Sequence, residues 1–193
     1  MSGTKLTRRG DARRASLLDA AETVLVARGN ADASLRAIAE EAGVRVGHLQ
    51  HYFPARADLV KAVLERALDR SLERLAAATG PRADPADVVA VVLAEQEDPR
   101  LVRLYVEIWA LAARDDDVAE VVRAFYRTYV AQVEAFLRQM RPERTAAHCR
   151  ARAETFVALV EGAALMRSGI AGRRSEETDA RITEQAVRLL RDE

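Results

Sequence analysis

A single cysteine, Cys149, leaves no intrachain disulfide to staple the fold and fits a reducing compartment. No apolar stretch approaches the ~18–20 residues a membrane helix needs. The basic N-terminus has no apolar secretory core behind it, so a cytoplasmic protein with no membrane partner is expected. There are only five prolines and nine glycines, and nowhere does the chain alternate apolar and polar residues for long, which argues against sheet. No glycine-rich loop offers to cradle a phosphate, and no strand leads into a serine or cysteine nucleophile. Neither an enzyme nor a cofactor is expected. Histidine is scarce as well. His48 and His51 stand three apart on one helix, a spacing that can hold a metal, but zinc wants three or four converging ligands and no third stands near them. His148 and Cys149 lie far downstream, and no metal site is expected. Cys149, between His148 and Arg150, is either partly thiolate and redox-sensitive or inert.

What remains is a helical composition: 49% hydrophobic and 31% charged over 193 residues, room for one small module and one larger core. An all-α fold of about nine helices follows. The net charge of zero hides an asymmetry. Residues 1–56 carry nine basic against six acidic side chains, a net of +3 that the rest of the chain balances with −3. Five of those cations, Lys5, Arg8, Arg9, Arg13 and Arg14, precede or open the first helix. Such an arm either tracks nucleic-acid phosphates or serves as a solubilising tail.

One run near the N-terminus carries the most chemistry, from Ser34 to Phe53. Ser34 precedes a helical apolar pattern and can cap it by accepting a backbone N–H bond. Leu35, Ile38, Ala39 and Ala42 share one face, Glu40 and Glu41 the other. Gly43 can end the helix in the left-handed region, and Val44 plugs the corner. Val46, Leu49 and Phe53 then pack a second short helix on the first. Arg45, His48, Gln50 and His51 are left outward, Gly47 permits close approach of another backbone, and Pro54 closes the unit. Two short helices about a glycine, the second studded with hydrogen-bonding side chains, form a helix-turn-helix. Arg45 is the first candidate base reader, since arginine can bond a guanine edge in two places, followed by Gln50 and His51. Arg36, Val46 and His48 complete the candidate DNA face.

The run resembles the TetR-type transcriptional regulators, through Ser34, Ile38-Ala39, Ala42-Gly43-Val44, Gly47, Tyr52-Phe53, Arg56 and Leu59. With the preceding helix the match covers about 45 residues. It departs at Arg45, where the family usually has Ser or Thr, and at Gln50, where it usually has Tyr; both lie on the presumed DNA face. The resemblance implies an N-terminal three-helix DNA-binding domain, with Ser34, Tyr52 and Arg56 holding phosphates. The segment from Leu101 to Asp115 is also similar to the BetI-type branch, mainly over residues 100–138, which implies a C-terminal ligand-binding and dimerisation domain.

The pattern divides the chain into an arm and helix-turn-helix domain, 1–56, and a helical domain, 57–193. Residues 1–10 read as disordered when free. The first helix runs from about Asp11 to Arg28, stopped by Gly29-Asn30, and a fourth from near Ala57 to about Ala78, long enough to be shared by both modules. Further helices are expected over 85–96, 100–114, 116–139, 143–171 and 179–191. Phe156, Leu159, Val160, Ala163 and Ile170 make a stripe at helical spacing beside the small Gly162 and Ala164, and Ile182, Ala186, Leu189 and Leu190 give the last helix an apolar face. The domain's own core can cover these faces. Combined with the resemblance, they suggest instead a four-helix homodimer interface through Phe156, Leu159, Val160, Ala163, Ile182 and Leu189. Tyr105, Trp109, Phe125, Tyr126 and Tyr129 are either core or the wall of a cavity for a small-molecule effector. Glu107 and Glu161 either meet a cationic ligand or lie at the solvated surface.

The reading that joins these features is a homodimeric, ligand-responsive transcriptional regulator. It is a repressor on a pseudo-palindromic double-stranded DNA operator, released by an effector of unknown identity. The alternative is an activator, or an effector-independent regulator controlled by a protein partner.

Overall fold

The computed structural model describes residues 8–191, among which there are nine α-helices. Lys5 and the rest of the expected arm to Thr7 lie outside the described residues, as do the side chains of Arg8 and Arg9. The chain divides into two compact units, 1–67 and 68–193. That division falls inside the fourth helix, whereas the sequence pattern placed it at the helix's start.

The first unit holds α1 (Arg8–Asp32), α2 (Leu35–Glu41), α3 (Val46–Tyr52) and the opening of α4 (Arg56–Ala78). Gly29, at φ 73°, breaks the regular geometry of α1, so its continuous part ends at Arg28. Leu17, Leu18, Ala21, Val24 and Leu25 from α1 close over Ile38, Leu49 and Phe53, with Leu59, Val63 and Leu64 of α4 completing the core. An ion network holds α4 to α1: Arg66 lies 2.8 Å from both Asp19 and Glu22.

The second unit continues α4 from Leu68 and adds α5 (Pro85–Ala94), a 3-10 turn (Glu95–Glu97), α6 (Pro99–Ala112), α7 (Asp116–Met140), α8 (Ala146–Arg167) and α9 (Glu176–Arg191). Local chemistry sets these ends. Asp84 and Asp98 each cap a helix whose first residue is proline, accepting from Ala86 N at 2.7 Å and Arg100 N at 2.8 Å. Asp115 caps α7 through Asp117 N and Val118 N, and Thr145 caps α8 through His148 N. α8 is therefore shorter at both ends than the periodicity suggested, starting after Thr145 and stopping before Gly169, whose φ is 81°. At the other end of the unit, the Arg152 guanidinium donates to the last carbonyls of α9, those of Arg188 at 2.7 Å and Leu189 at 2.8 Å.

α8 packs against α5, α7, α9 and the 3-10 turn. Its Phe156 is 0% exposed, and Val160 and Ala163 are buried beside it. This corrects the reading of Phe156, Val160 and Ala163 as interface residues. A side chain enclosed by its own protomer has no surface left for a partner, and neighbouring helices supply the cover. Ile170 lies beyond the end of the helix at 59% exposure. Leu159, Ile182 and Leu189 remain half-buried at the surface. Phe156→Ala should accordingly lower the protomer's own stability by ~3–5 kcal/mol in urea denaturation. Unchanged stability with a weakened dimer would contradict this placement.

Candidate nucleic-acid interface and internal cavity

The turn between α2 and α3 follows from three local devices. Ser34 Oγ accepts from Ala37 N at 3.1 Å and caps α2. Gly43, at φ 62°, lets the chain reverse. Val44 N then reaches back to the Ala39 carbonyl at 2.9 Å and Gly43 N to that of Glu40 at 3.1 Å, a Schellman closure of the helix end. Leu49, 0% exposed, anchors α3 in the core, and the Arg14 guanidinium lies over the Phe53 ring, 5.1 Å from its centroid.

Anchoring by Leu49 and Phe53 turns the other positions outward. Arg45, His48, Gln50 and His51 are exposed, and Val46 and Tyr52 half-buried. Arg45 is the residue just before α3, in extended conformation, so its side chain projects from the helix's N-terminal end. Arg13 Nε donates to His48 Nε2 at 3.3 Å, and the Tyr52 ring meets His48 and His51 edge-on, with centroids 5.6 and 5.4 Å apart. Arg36 and Ser34 are exposed on α2 and its cap. Arg56 is different. Its Nε donates to the Ala33 carbonyl at 2.7 Å, and its Nη2 to the Asn30 carbonyl oxygen and, at 2.6 Å, to Asn30 Oδ1. It clamps the α1–α2 connection to the start of α4, a tertiary task that its likeness to a phosphate-holding position did not reveal.

In the second unit a partly open cavity lies among α4, the 3-10 turn, α6, α7 and α8. Tyr105, Trp109, Phe125 and Tyr129 line it. Tyr126 stands behind Trp109, accepting from its Nε1 at 3.0 Å, and Phe125 packs on both Tyr126 and Tyr129. Glu161 also faces the cavity rather than open solvent, whereas Glu107 is absent from its wall. Glu95 and Glu161 are the only charged side chains in the lining.

The enclosure shows in the ionisation of these groups. Burial pushes Glu161 up to about 7, with the Tyr126 hydroxyl drawing it down and the Glu95 charge adding to the rise. Burial likewise raises Tyr105 to about 12 and moves Tyr126 and Tyr129 upward. Neither Ser71 nor Gln96, both in the wall, stood out in the sequence. Ser71 had a legible signal, a lone hydroxyl in the buried stripe of α4 between Leu68 and Leu75. Gln96 had none. Cys149 is buried, and among the described residues no three His, Cys, Asp or Glu gather where a metal ion could sit. No helix among them is long and apolar enough to cross a membrane.

Comparison with known proteins agrees with both halves. Residues 17–63 match the family model described as bacterial regulatory proteins, tetR family, and residues 81–192 that of the BetI-type transcriptional repressor, C-terminal. The chain is 25% identical over 185 residues to the HTH-type transcriptional regulator BetI of Brucella anthropi, covering 93% of this chain and 90% of that protein. The regulator of the same name from Rhizobium meliloti is 26% identical, with 93% and 86% covered. Among solved structures, a transcriptional regulator from Pseudomonas aeruginosa PAO1 superposes with a TM-score of 0.80 at 24% identity, over 98% of this chain and 95% of that one. Salmonella enterica GusR does so with 0.77 at 22%, over 97% and 99%. At these identities the structures speak for the fold alone.

The raised Glu161 carboxyl has a consequence for stability. Between pH 4.5 and about 7 the folded chain holds a proton there that the unfolded chain releases. Stability therefore falls as pH climbs through that window. Glu161→Gln carries no such proton. The variant should match the wild type at the acid end and exceed it by ~2–3 kcal/mol above the window, read as urea midpoints across the pH range. A gap that does not change with pH would show that Glu161 is not enclosed.

Proposed function

The chain belongs to the TetR family of bacterial transcriptional regulators and carries a BetI-type repressor C-terminal domain, and on that premise we propose that it is a ligand-responsive repressor. It would grip a pseudo-palindromic operator as a two-fold dimer and release it when a small molecule fills the cavity of the second unit. Regulators of this family bind DNA operators and act as dimers. The ligand half of the proposal is supported by one observation, a partly open cavity walled by aromatics and by two carboxylates with no cation among them. Such a wall favours an effector with an apolar body and a positively charged group.

In the DNA complex Arg45 reads a guanine edge, with Gln50 and His51 beside it, while Arg36, Val46 and His48 fill out the contact surface. Ser34 and Tyr52 hold backbone phosphates, which fix register without reading sequence. Arg56 serves the interface indirectly, by fixing the connection that presents Ser34. α4 begins in the first unit and places Ser71 in the wall of the cavity in the second, which makes this helix the proposed carrier of the signal. The dimer uses the outward strip of α8, Ala158, Leu159, Gly162 and Met166, together with Ile182 and Leu189 of α9. These side chains are exposed or half-buried, and Leu159, Met166, Ile182 and Leu189 are apolar.

Selection of genomic fragments by the purified protein at near-physiological salt, followed by footprinting, tests the DNA half. A two-fold protected site is expected, and sequence-independent binding alone would reject base reading. On the selected site Arg45→Ala should weaken binding by ~1–3 kcal/mol and relax one base position, whereas Tyr52→Phe should weaken all sequences alike. The dimer has its own check. A Cβ built on Gly162 meets nothing within 4 Å, so Gly162→Arg leaves the protomer room to fold. It should raise the dimer dissociation constant at least ~10-fold in sedimentation without lowering the protomer's melting temperature. An unaltered dimer would place the interface elsewhere.

A further inference from the structure

The carboxylate of Glu95 has two allegiances. Its side chain faces the cavity, yet both of its oxygens are already held by α4: Oε1 by Arg74 Nε at 2.6 Å and Oε2 by Ser71 Oγ at 3.1 Å. Arg74 itself is not part of the cavity wall. The pair thus has a guanidinium behind the wall and its carboxylate on the inner surface. The side chain of Glu95 is 18% exposed and that of Arg74 38%, so the cation can turn to water while the anion cannot leave its place.

Glu95 opens the 3-10 turn, and the other two residues of that turn are tied elsewhere. Gln96 Nε2 donates to the Val160 carbonyl of α8 at 2.7 Å. Glu97 pairs with Arg167 at 3.2 Å and Arg174 at 3.0 Å, and both arginines also bind Asp179 of α9. The turn is therefore held to α8 through Gln96, and to α8 and α9 through the Glu97–arginine–Asp179 cluster, by contacts that do not involve Glu95. Its tie to α4 passes through Glu95, a carboxylate that a bound cation would seek.

We propose that Glu95 is the residue through which the cavity senses its occupant: a cationic group with N–H donors enters, displaces Arg74 from the carboxylate, and frees α4 from the turn. This rests on the effector-binding role of the cavity argued above and assigns the part of the site that makes the occupant felt. Uncharged molecules of the same shape fill the cavity without exchanging partners on Glu95, so they occupy it without releasing DNA. Glu161, on the opposite helix, adds attraction for the same charge. The groups facing the exchange are Glu161 from α8, Tyr105 from α6, Tyr129 from α7 and Arg74 and Glu73 from α4.

Benzylguanidinium, which carries Arg74's own head group on an aromatic body, and its uncharged isostere benzylurea are the probes. Calorimetric titration of the full-length protein should show benzylguanidinium binding at least ~5-fold tighter to Arg74→Gln than to the wild type, and ~5-fold weaker to Glu95→Gln, with Arg74→Lys near the wild type. A merely supporting ion pair would weaken binding in both directions of disruption. Without any probe, both neutral variants should bind the selected DNA site more weakly than the wild type. Equal probe affinity in wild type and Arg74→Gln overturns the exchange while leaving the cavity a binding site. Failure of both probes to bind wild type and variants alike overturns the binding role of the cavity, and the exchange with it. Binding of benzylurea that releases DNA as well as benzylguanidinium does also overturns the exchange.

Discussion

The second unit depends on the burial of one helix. α8 has neighbours in α5, α7, α9 and the 3-10 turn, and Ala153, Phe156, Val157, Val160 and Ala163 are closed off between them. A protein interior is packed as densely as an organic crystal, so these side chains dictate how near each neighbour stands. What is left of α8 is divided between two surfaces. Glu161 and Ala164 look into the cavity, Ala158 and Met166 look out, and Leu165 belongs to both, being part of the wall and 44% exposed. Along α8 the cavity-facing and outward-facing positions are separated by the width of a single helix.

The first unit is governed by backbone closure more than by side-chain reach. The Ser34 cap, the Schellman bonds at Gly43 and the Arg56 clamp all satisfy groups that helix ends leave unpaired. With those groups satisfied within the unit, only Leu49 and Phe53 are needed to hold α3 down, and the remaining positions of this seven-residue helix are released for contact with a partner. His48 has a neighbour from α1 in Arg13, so its orientation is partly decided before any DNA arrives.

Much of this was legible because it is local. The cap, the glycine turn, the two prolines after Asp84 and Asp98 and the apolar stripe of α1 are patterns within a few residues of each other, and local physics is enough to read them. Illegible features turn on contacts made across the chain. Arg56 bonds to carbonyls at positions 30 and 33, and nothing in its neighbourhood announces them. The stripe through Phe156 was visible as apolar, but apolarity does not say whether the cover comes from the same chain or another. Glu161 looked like a surface glutamate because its neighbours in space, Tyr126 and Tyr105, come from two other helices. The ends of α8 were misplaced for a smaller reason. Helix-forming residues continue past both boundaries, and the stops are set by Thr145 and by the positive φ of Gly169.

Trp109 is the only tryptophan in the chain, and it stands in the wall of the cavity with its indole N–H already bonded to Tyr126. The indole emission of the whole molecule is therefore a report from one place. Its colour follows the polarity of the cavity and its quenching follows access to it, with no other indole to blur either signal. The chain thus comes with its own indicator dye, fixed in the wall of the cavity.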